Sequence, residues 1–433
     1  MDVVGYCVAL ACILVAAMPN CLDATTVDPA TVAFPPVRPS RPYGSPLPVG
    51  HEMQLGYQRE SDGPVTEYTE DLHPQDFWDK HVSIKKPAVL RGHKNDEAAF
   101  KVWTDDYLRT TYADQHVRVE LKQENRSFGA WRMTLPAFLD RYKKENIYAV
   151  TVLPEAMRHE VKVPTPLLCG TYRKYLQELN LWIGYTGTRS VVHYDADHNI
   201  HCLLAGRKDF IMIDREYEYK LGFGRRPGYV GSGFSKMNPD KVDVVKFPGV
   251  FDVPWTHATL NPGDCIFIPG GYIHQVRGYG RTMSETLLFT PFEEDFELGN
   301  CTADDLKYTT LKDVEIYWTY LGGDSDIEMG YMNPLLLRNL MIQSLTEQQK
   351  KSMSLKTFIS FFFETTSGQA QGDPVQIYKT YVDVNGTGAV TADDFAALSL
   401  ANLKEIARGM DASAVSRKLA ELKDTRPDAK TEL

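Results

Sequence analysis

Short strand-like segments, each closed by a turn signal, fill residues 181–292 of this 433-residue chain. They are rich in β-branched and aromatic residues, and Gly, Pro or Asp marks the breaks between them. Several strands at this spacing favour an antiparallel sandwich or barrel. The segments are "LWIGYTG", "SVVHYD", "IHCLLAG", "DFIMID", "CIFIPGG", "HQVRGYG" and "TMSETLLF".

Helical patterns flank this region on both sides. Before it, "HPQDFWDKHV" and "WTDDYLRTTYADQ" predict helices, the second capped by Thr104, while "KPAVLRG" and "HVRVEL" predict strands. After Asp304, "PLLLRNLMIQSLTEQQKK" and "LKTFISFFFE" predict helices. Because 433 residues exceed one ordinary core, two or three domains are expected. The predicted division is 1–24 signal peptide, 25–56 Pro-rich linker, 57–302 strand-rich domain, 303–365 helical extension and 366–433 C-terminal segment.

The stretch "VVHYDADHNIH" predicts part of a metal site. His193 and Asp195 lie two residues apart, so in a strand their side chains share one face. His274 follows a Pro-Gly-Gly turn that starts a new strand, and it can supply a third ligand. Two histidines and one carboxylate form the facial triad of non-haem Fe(II) oxygenases, which leaves positions open for a cosubstrate and O₂. A zinc site built from the same three residues is the alternative.

The stretch from Tyr57 to Phe292 resembles the JmjC, cupin-type 2-oxoglutarate oxygenases, particularly their protein-hydroxylase branch. The resembling pieces are "KPAVLRG", "WTDDYL", "HYDADHNIHCLLAGRKDFIMID", "NPGDCIFIPGGYIHQV" and "TMSETLLF". The resemblance implies a mainly β double-stranded β-helix (a jelly roll or cupin) with N-terminal and C-terminal α-helical additions. It also implies 2-oxoglutarate as cosubstrate and Fe(II) held by the catalytic residues His193, Asp195 and His274.

The same resemblance implies residues that bind the cosubstrate. The far carboxylate of 2-oxoglutarate needs a buried cation, and Lys208 stands where the family places a basic residue. Arg207 is adjacent but has the opposite strand parity. Asn199, Ser190 and Thr286 are predicted as further polar contacts to the cosubstrate.

Other polar residues nearby are not predicted as ligands. His198 has the opposite parity to His193, which predicts a place at the surface or in a polar contact, and His201 lies too far along the strand. Asp197 is likewise not expected to bind metal. The strand "SETLLF" lacks the Asn that asparaginyl-hydroxylase relatives tend to carry, which leaves the substrate class open.

The N-terminus predicts entry into the secretory pathway. An apolar run from Val3 to Met18 fits a signal peptide cleaved near Ala24, and an uncleaved membrane anchor is the alternative. The chain ends "DAKTEL", which is close to a KDEL-type retrieval signal. Localisation in the endoplasmic reticulum lumen, or secretion, is therefore expected.

Cysteines and glycosylation sequons suit the same compartment. Four cysteines follow the predicted signal peptide, an even number that permits one or two disulfides, with four buried thiols as the alternative. Their pairing stays open. The cysteines are Cys169, Cys202, Cys265 and Cys301, and the sequons lie at Asn125, Asn300 and Asn385.

The segment "DVNGTGAVTADD", residues 383–394, resembles a single EF-hand loop. Possible calcium ligands are Asp383, Asn385, Thr387, the carbonyl of Ala389, and Asp394. Thr387 replaces a carboxylate and Asp394 replaces the usual Glu. No convincing partner loop precedes it, and a calcium-free helix-loop-helix is the alternative. The helices after Asp304 occupy the place where relatives often dimerise, so a homodimer is one expectation, although the sequence does not fix the oligomeric state.

These features predict an Fe(II)- and 2-oxoglutarate-dependent dioxygenase, a hydroxylase that uses O₂ to oxidise a protein or peptide substrate. The formal charge of −10 argues against nucleic acid as a partner. The signal peptide and the lack of a basic module disfavour histone demethylation. The alternative is a non-catalytic cupin-type protein that binds a partner, zinc or calcium.

Overall fold

Twelve strands form one large, strongly bent sheet in the computed structural model, which describes residues 29–40, 46–123, 130–224, 232–290, 296–316, 334–366 and 372–410. The strand order along the main path is β1-β2-β11-β8-β12-β6-β5-β3-β4, with β7, β9 and β10 attached beside it. The strands are β1 (Thr66–Tyr68), β2 (Ala88–Leu90), β3 (His116–Glu120), β4 (Trp131–Thr134), β5 (Tyr148–Val152), β6 (Leu176–Gly184), β7 (His193–Tyr194), β8 (His198–Ile213), β9 (Gly233–Phe234), β10 (Thr256–Leu260), β11 (Cys265–Ile268) and β12 (Ile273–Phe289).

Two long strands, β8 and β12, build the barrel. They pair with each other antiparallel along both of their halves, and the register shifts between Tyr279 and Met283. The first half of β8 also pairs with β11 and its second half with β10, while the second half of β12 pairs with β6. Each long strand therefore has different neighbours along its two halves and runs through both faces of the barrel. This arrangement confirms the predicted mainly β jelly roll.

The sequence predicted four separate strands where the structure has β8 and β12, and this prediction was wrong. The glycine at the predicted break, Gly206, adopts a φ of +81° inside β8. A Cβ there would come within 2.4 Å of the carbonyl oxygen of Arg281, so a glycine lets the strand bend against its neighbour without ending.

Short helices pack on the sheet and cover its core. Thr104 caps one of them as predicted, because its hydroxyl accepts a hydrogen bond from the amide of Tyr107 at 3.1 Å. The buried core between sheet and helices includes Phe77, Phe267 and Phe289. The helices are α1 (Pro74–Phe77, continued by a wider turn to Val82), α2 (Ala98–Val102), α3 (Asp105–Thr111), α4 (Leu135–Arg141) and α5 (Gly170–Lys174).

A second hydrophobic core lies among the C-terminal helices. Phe358, Phe362, Tyr378 and Leu403 are buried in it, so helices from both predicted C-terminal segments share one core. None of the helices among the described residues is long and apolar enough to cross a membrane. The predicted homodimer through this region stays a prediction. The helices are α6 (Pro334–Glu347), α7 (Leu355–Thr366), α8 (Pro374–Ile377), α9 (Ala392–Ala396) and α10 (Leu400–Gly409).

Part of the predicted N-terminal linker docks on the barrel. Arg207 donates hydrogen bonds to the carbonyl oxygens of Pro29 and Val32 at 2.7 and 2.9 Å. Phe34 packs against His257, with ring centroids 5.9 Å apart. This part of the Pro-rich linker therefore covers an apolar part of the sheet. The predicted signal peptide and the final "KTEL" lie outside the described residues.

The four cysteines form two disulfides. Cys169 at the start of α5 bonds to Cys301, and Cys202 of β8 bonds to Cys265, its direct neighbour on β11. The alternative of four buried thiols is therefore excluded. Asn300 and Asn385 are exposed, while Asn125 lies outside the described residues.

Candidate metal centre and cosubstrate pocket

Strand pairing brings the two predicted histidine ligands together. His193 of β7 lies directly opposite His274 of β12, and their ring centroids are 4.1 Å apart. Asp195 follows β7, with its Oδ2 3.7 Å from Nε2 of His274. One ligand atom from each of the three residues lies within 4.8 Å of the other two, which makes this a cluster that could hold a metal ion.

Backbone carbonyls fix the orientation of both imidazoles. Nδ1 of His193 lies 2.9 Å from the carbonyl oxygen of Val191, and Nδ1 of His274 lies 3.1 Å from that of Tyr272. Because a carbonyl can only accept, Nδ1 carries the hydrogen in each ring and Nε2 keeps its lone pair for a metal. Burial, reinforced by neighbouring His193, lowers the pKa of His274 to about 4, so its imidazole is neutral as metal binding requires.

Asp195 is held by neighbours on two sides. Asn199 donates from Nδ2 to Oδ2 of Asp195 at 2.8 Å, and the amide of Gly271 donates to the main-chain oxygen of Asp195 at 2.7 Å. A Cβ at Gly270 would come within 2.6 Å of the Ala196 carbonyl oxygen, so the turn before His274 needs glycine to approach this closely. The Pro-Gly-Gly turn thus allows close backbone approach to the segment that carries Asp195 and supports the metal cluster directly.

Asn199 was predicted as a cosubstrate contact, and the structure places it beside the carboxylate ligand. Its Oδ1 is buried and has no hydrogen-bond partner among the described residues. A buried acceptor without a partner is uncommon in proteins. That oxygen remains able to accept a hydrogen bond from a bound group.

Lys208 is a buried cation inside the same barrel. Only 3% of its surface is exposed, and Nζ donates to Oγ of Ser284 at 2.7 Å. Nζ also lies 3.3 Å from Nε2 of His201 and 5.9 Å above the centre of the Trp182 ring. Within the described ranges, no carboxylate comes within ion-pair distance of it, and burial lowers its pKa to about 7. A buried ammonium group without a counter-charge fits an anionic ligand.

Thr286 is linked to Lys208 through His201. Oγ1 of Thr286 accepts a hydrogen bond from Nε1 of Trp182 at 2.8 Å and lies 2.7 Å from Nδ1 of His201. Sequence reasoning excluded His201 as a metal ligand and missed its contact with Lys208. Ser284 was also missed, although it lies two residues before Thr286 and therefore shares its strand face.

The remaining polar residues of this region have other partners. The hydroxyl of Ser190, predicted as a cosubstrate contact, accepts from the Val276 amide at 2.9 Å. Asp197 is buried and accepts from Gln177 and Thr290. His198 is not at the surface. Its ring stacks on Phe289, and its Nδ1 accepts from the Gly270 amide at 3.0 Å, so the predicted polar contact exists within the core.

In the C-terminal loop, main-chain donors contact the predicted calcium ligands. The carboxylate of Asp383 accepts from the amides of Thr387 and Gly388 at 2.9 and 2.8 Å, and the carboxylate of Asp394 accepts from the amide of Thr391, the N-cap of α9, at 2.9 Å. The hydroxyl of Thr387 donates to the Ala389 carbonyl oxygen at 3.1 Å.

The C-terminal loop also has a structural partner that the sequence did not indicate. Two two-residue strands pair with each other antiparallel: β13 (Ser352–Met353), which precedes α7, and β14 (Val390–Thr391), which precedes α9. Asn385 lies exposed in the loop. Calcium binding there stays a prediction.

A jelly-roll barrel that holds two histidines and a carboxylate in one cluster defines a cupin-type metal site. A family model described as a cupin-like domain matches residues 74–293, and the chain belongs to this family. The match lies within the predicted domain 57–302 and includes all three residues of the metal cluster.

Relatives with related names match part of this chain. "Lysine-specific demethylase 8" of Danio rerio is 26% identical over 215 residues, covering 46% of this chain and 52% of that protein. "Jumonji C domain-containing protein 5" of Drosophila melanogaster is 23% identical over 232 residues, covering 48% and 56%. "Lysine-specific demethylase JMJ31" of Arabidopsis thaliana is 26% identical over 202 residues, covering 43% and 34%. The chain thus spans about half the length, or less, of these relatives, whose names support the JmjC resemblance.

Proposed function

We propose that this chain is an Fe(II)- and 2-oxoglutarate-dependent oxygenase. The observation that carries the proposal is the presence, in one barrel, of the cluster of His193, Asp195 and His274 together with buried Lys208, which has no carboxylate partner among the described residues. The cluster alone is compatible with zinc. A buried ammonium group that lacks a carboxylate partner adds a reason to expect a bound dicarboxylate.

The residues present fit both groups. Nε2 of His193, Nε2 of His274 and a carboxylate oxygen of Asp195 would hold Fe(II), and Lys208 would pair with the far carboxylate of 2-oxoglutarate. When bound, Fe(II) and 2-oxoglutarate supply the oxidising chemistry: O₂ converts 2-oxoglutarate to succinate and CO₂ and places one oxygen atom in a substrate C–H bond.

In this reaction the residues of the chain orient the metal ligands and shield the site that would bind the cosubstrate carboxylate. Val191 and Tyr272 orient the imidazoles through their carbonyls, and Asn199 orients the Asp195 carboxylate. Such partners of metal ligands typically contribute about 10–100-fold to metal affinity or activity. The burial of Lys208 excludes water from the anion site, which strengthens its pairing with a carboxylate.

The proposed substrate is a protein or peptide, and the proposed reaction is a stable hydroxylation. The relatives' names support a protein substrate, since two of the three are named as lysine-specific demethylases. Demethylation of a methyl-lysine also begins with C–H hydroxylation, so the two outcomes differ in whether the hydroxylated carbon is lost. Mass spectrometry of candidate peptides would separate a product that gains one oxygen from a product that loses a methyl group.

The proposed compartment is the lumen of the endoplasmic reticulum, or the exterior. The two disulfides support it, because structural disulfides persist in oxidising compartments and are rare in the cytosol. Deleting Lys430 to Leu433 should increase secretion into the medium. If the full-length protein is already secreted completely, the tail is not a retrieval signal.

Metal analysis of anaerobically purified protein, followed by binding of 2-oxoglutarate, tests the oxygenase proposal. The expected result is one Fe(II) per chain and a cosubstrate that binds only when metal is present. Addition of O₂ should then release succinate. Protein that retains zinc and neither binds nor consumes 2-oxoglutarate would establish the alternative, a non-catalytic cupin.

A further inference from the structure

His201 lies between Lys208, predicted to bind the far carboxylate of the cosubstrate, and Thr286, predicted as a further polar contact to the cosubstrate. Its Nε2 is 3.3 Å from Nζ of Lys208, and its Nδ1 is 2.7 Å from Oγ1 of Thr286. The imidazole is buried, and it packs edge-on against Phe210 with ring centroids 5.6 Å apart. It is therefore held on three sides by residues of β8 and β12.

The surroundings of His201 determine which nitrogen carries its hydrogen. Burial, reinforced by the charge of Lys208, places the pKa of His201 well below its usual value, so the ring is neutral. Lys208 is protonated when it pairs with a carboxylate, and an ammonium group has hydrogens to donate and no lone pair to offer, so Nε2 of His201 must then accept from it. The single ring hydrogen then sits on Nδ1 and is donated to Thr286.

This assignment decides the role of the Thr286 hydroxyl. Its oxygen receives one hydrogen from Nδ1 of His201 and another from Nε1 of Trp182, 2.8 Å away. A hydroxyl oxygen has two lone pairs, and both are now used. Thr286 can therefore offer a further partner only its own hydrogen. Lys208 lies on the other side of His201 and, when protonated, also offers hydrogens only.

We propose that His201 is a positioning residue that makes Thr286 and Lys208 a donor-only pair, so that the pocket selects an ionised carboxylate over its uncharged amide. The inference rests on the proposed function and adds a source of specificity to it. A carboxylate accepts from both groups. An amide would turn its N–H₂ toward a donor and leave a buried polar group unpaired, which costs binding free energy.

Binding of two probes to the Mn(II)-loaded full-length chain tests this inference. The probes are 2-oxoglutarate and its monoamide at the far carboxylate, 2-oxoglutaramate, measured by calorimetry without O₂ and with metal content determined for each variant. In His201→Leu, the Thr286 hydroxyl is free to rotate and to accept from an amide. We expect 2-oxoglutarate to bind about tenfold more weakly, an effect typical of one lost hydrogen bond to a charged group, and the monoamide to bind as before.

Two matched variants isolate the contact with Thr286. His201→Asn keeps an N–H near the position of Nδ1 and lacks the acceptor for Lys208, so it should restore most of the preference for 2-oxoglutarate. Thr286→Val should weaken the binding of 2-oxoglutarate to the same extent while the imidazole of His201 stays in place. The double variant with His201→Leu should bind 2-oxoglutarate little more weakly than either single variant, because both changes remove the same interaction.

The outcomes separate the inference from the function on which it rests. If wild-type protein binds neither metal nor 2-oxoglutarate, the proposed function fails. If wild-type protein binds 2-oxoglutarate and His201→Leu binds both probes unchanged, only the role of His201 is rejected. If His201→Leu binds both probes equally weakly and also loses metal, His201 is a purely structural residue, and its proposed positioning role is likewise rejected.

Discussion

His193 and His274 face each other across a single antiparallel residue pair, with ring centroids 4.1 Å apart, although 80 residues of chain separate them. Each ring is anchored by the carbonyl oxygen two residues earlier in its own segment. The same local arrangement therefore occurs twice, and strand pairing brings the two rings close enough for both to reach one metal ion. Asp195 completes the cluster from the loop after β7.

Asp195→Ala should abolish metal binding. It removes the only anionic member of the cluster, so both metal content and succinate release should fall to background. Asp197→Ala is the matched control, because Asp197 lies two residues away and contacts Gln177 and Thr290 instead. Metal analysis of both purified variants would contradict the assignment if Asp195→Ala retained a full complement of metal.

Asn199→Ala should weaken metal binding without abolishing it. The change removes the amide that donates to Oδ2 of Asp195 at 2.8 Å, so the carboxylate loses its fixed orientation. We expect a loss of about 10–100-fold in metal affinity, as for other partners of metal ligands. Metal titration in competition with a chelator measures this. Unchanged affinity would mean that Asn199 acts elsewhere, for example through its unpaired Oδ1.

Lys208→Met should separate metal binding from cosubstrate binding. No metal ligand is lost, whereas affinity for 2-oxoglutarate should fall by about 2–5 kcal/mol, the range for truncating one partner of a buried charge pair. That corresponds to at least about a thirtyfold increase in Kd. Calorimetry on the Mn(II)-loaded protein measures it. Retention of wild-type affinity would exclude Lys208 from the cosubstrate site.

The same substitution should raise thermal stability when no cosubstrate is present. Burial lowers the pKa of Lys208 from its usual 10.5 to about 7, so the unfolded chain binds more protons than the folded chain between these values. Wild-type stability should therefore rise with pH across this window, and the gain from Lys208→Met should be largest near pH 7 and below. A lower Tm of the variant at pH 7 would contradict this.

Affinity for 2-oxoglutarate should decrease as pH rises. Lys208 must be protonated to pair with the carboxylate, and its pKa before the cosubstrate binds is about 7. Above that pH, binding requires uptake of a proton, so Kd should increase by up to about tenfold per pH unit. Binding to the Lys208→Met variant should be much less sensitive to pH. A wild-type Kd that stays constant from neutral to alkaline pH would argue against this role.

Calcium should stabilise the C-terminal helices if the loop at residues 383–394 binds it. Asp383→Ala removes the first ligand and should abolish any shift in Tm caused by Ca²⁺. Asp393→Ala is the control, since Asp393 is exposed in the same loop at a position that supplies no ligand. Calorimetry on unglycosylated protein that detects no binding at millimolar Ca²⁺ would make the paired loop a purely structural element.

The sequence by itself predicted the three residues that cluster in the candidate metal site. The spacing of His193 and Asp195, and the Pro-Gly-Gly turn before His274, depend on local backbone geometry that a few neighbouring residues specify. The resemblance to a known family added Lys208. Periodicity and turn signals likewise predicted the strand-rich class, because alternation and glycine act over short distances. The same signals misplaced the ends of β8 and β12, since a glycine that bends a strand looks like a glycine that ends one.

Only the tertiary structure decided which distant residues meet. The pairing of Cys202 with Cys265, the contact of β13 with β14, and the place of His201 between Lys208 and Thr286 all join residues that lie on different elements or on opposite sides of a bend. Sequence reasoning left His201 out of the metal ligands, yet could not find its partners. The physical reason is that β8 bends at Gly206, where its register with β12 also shifts, and strand parity counted along the chain does not carry across that bend.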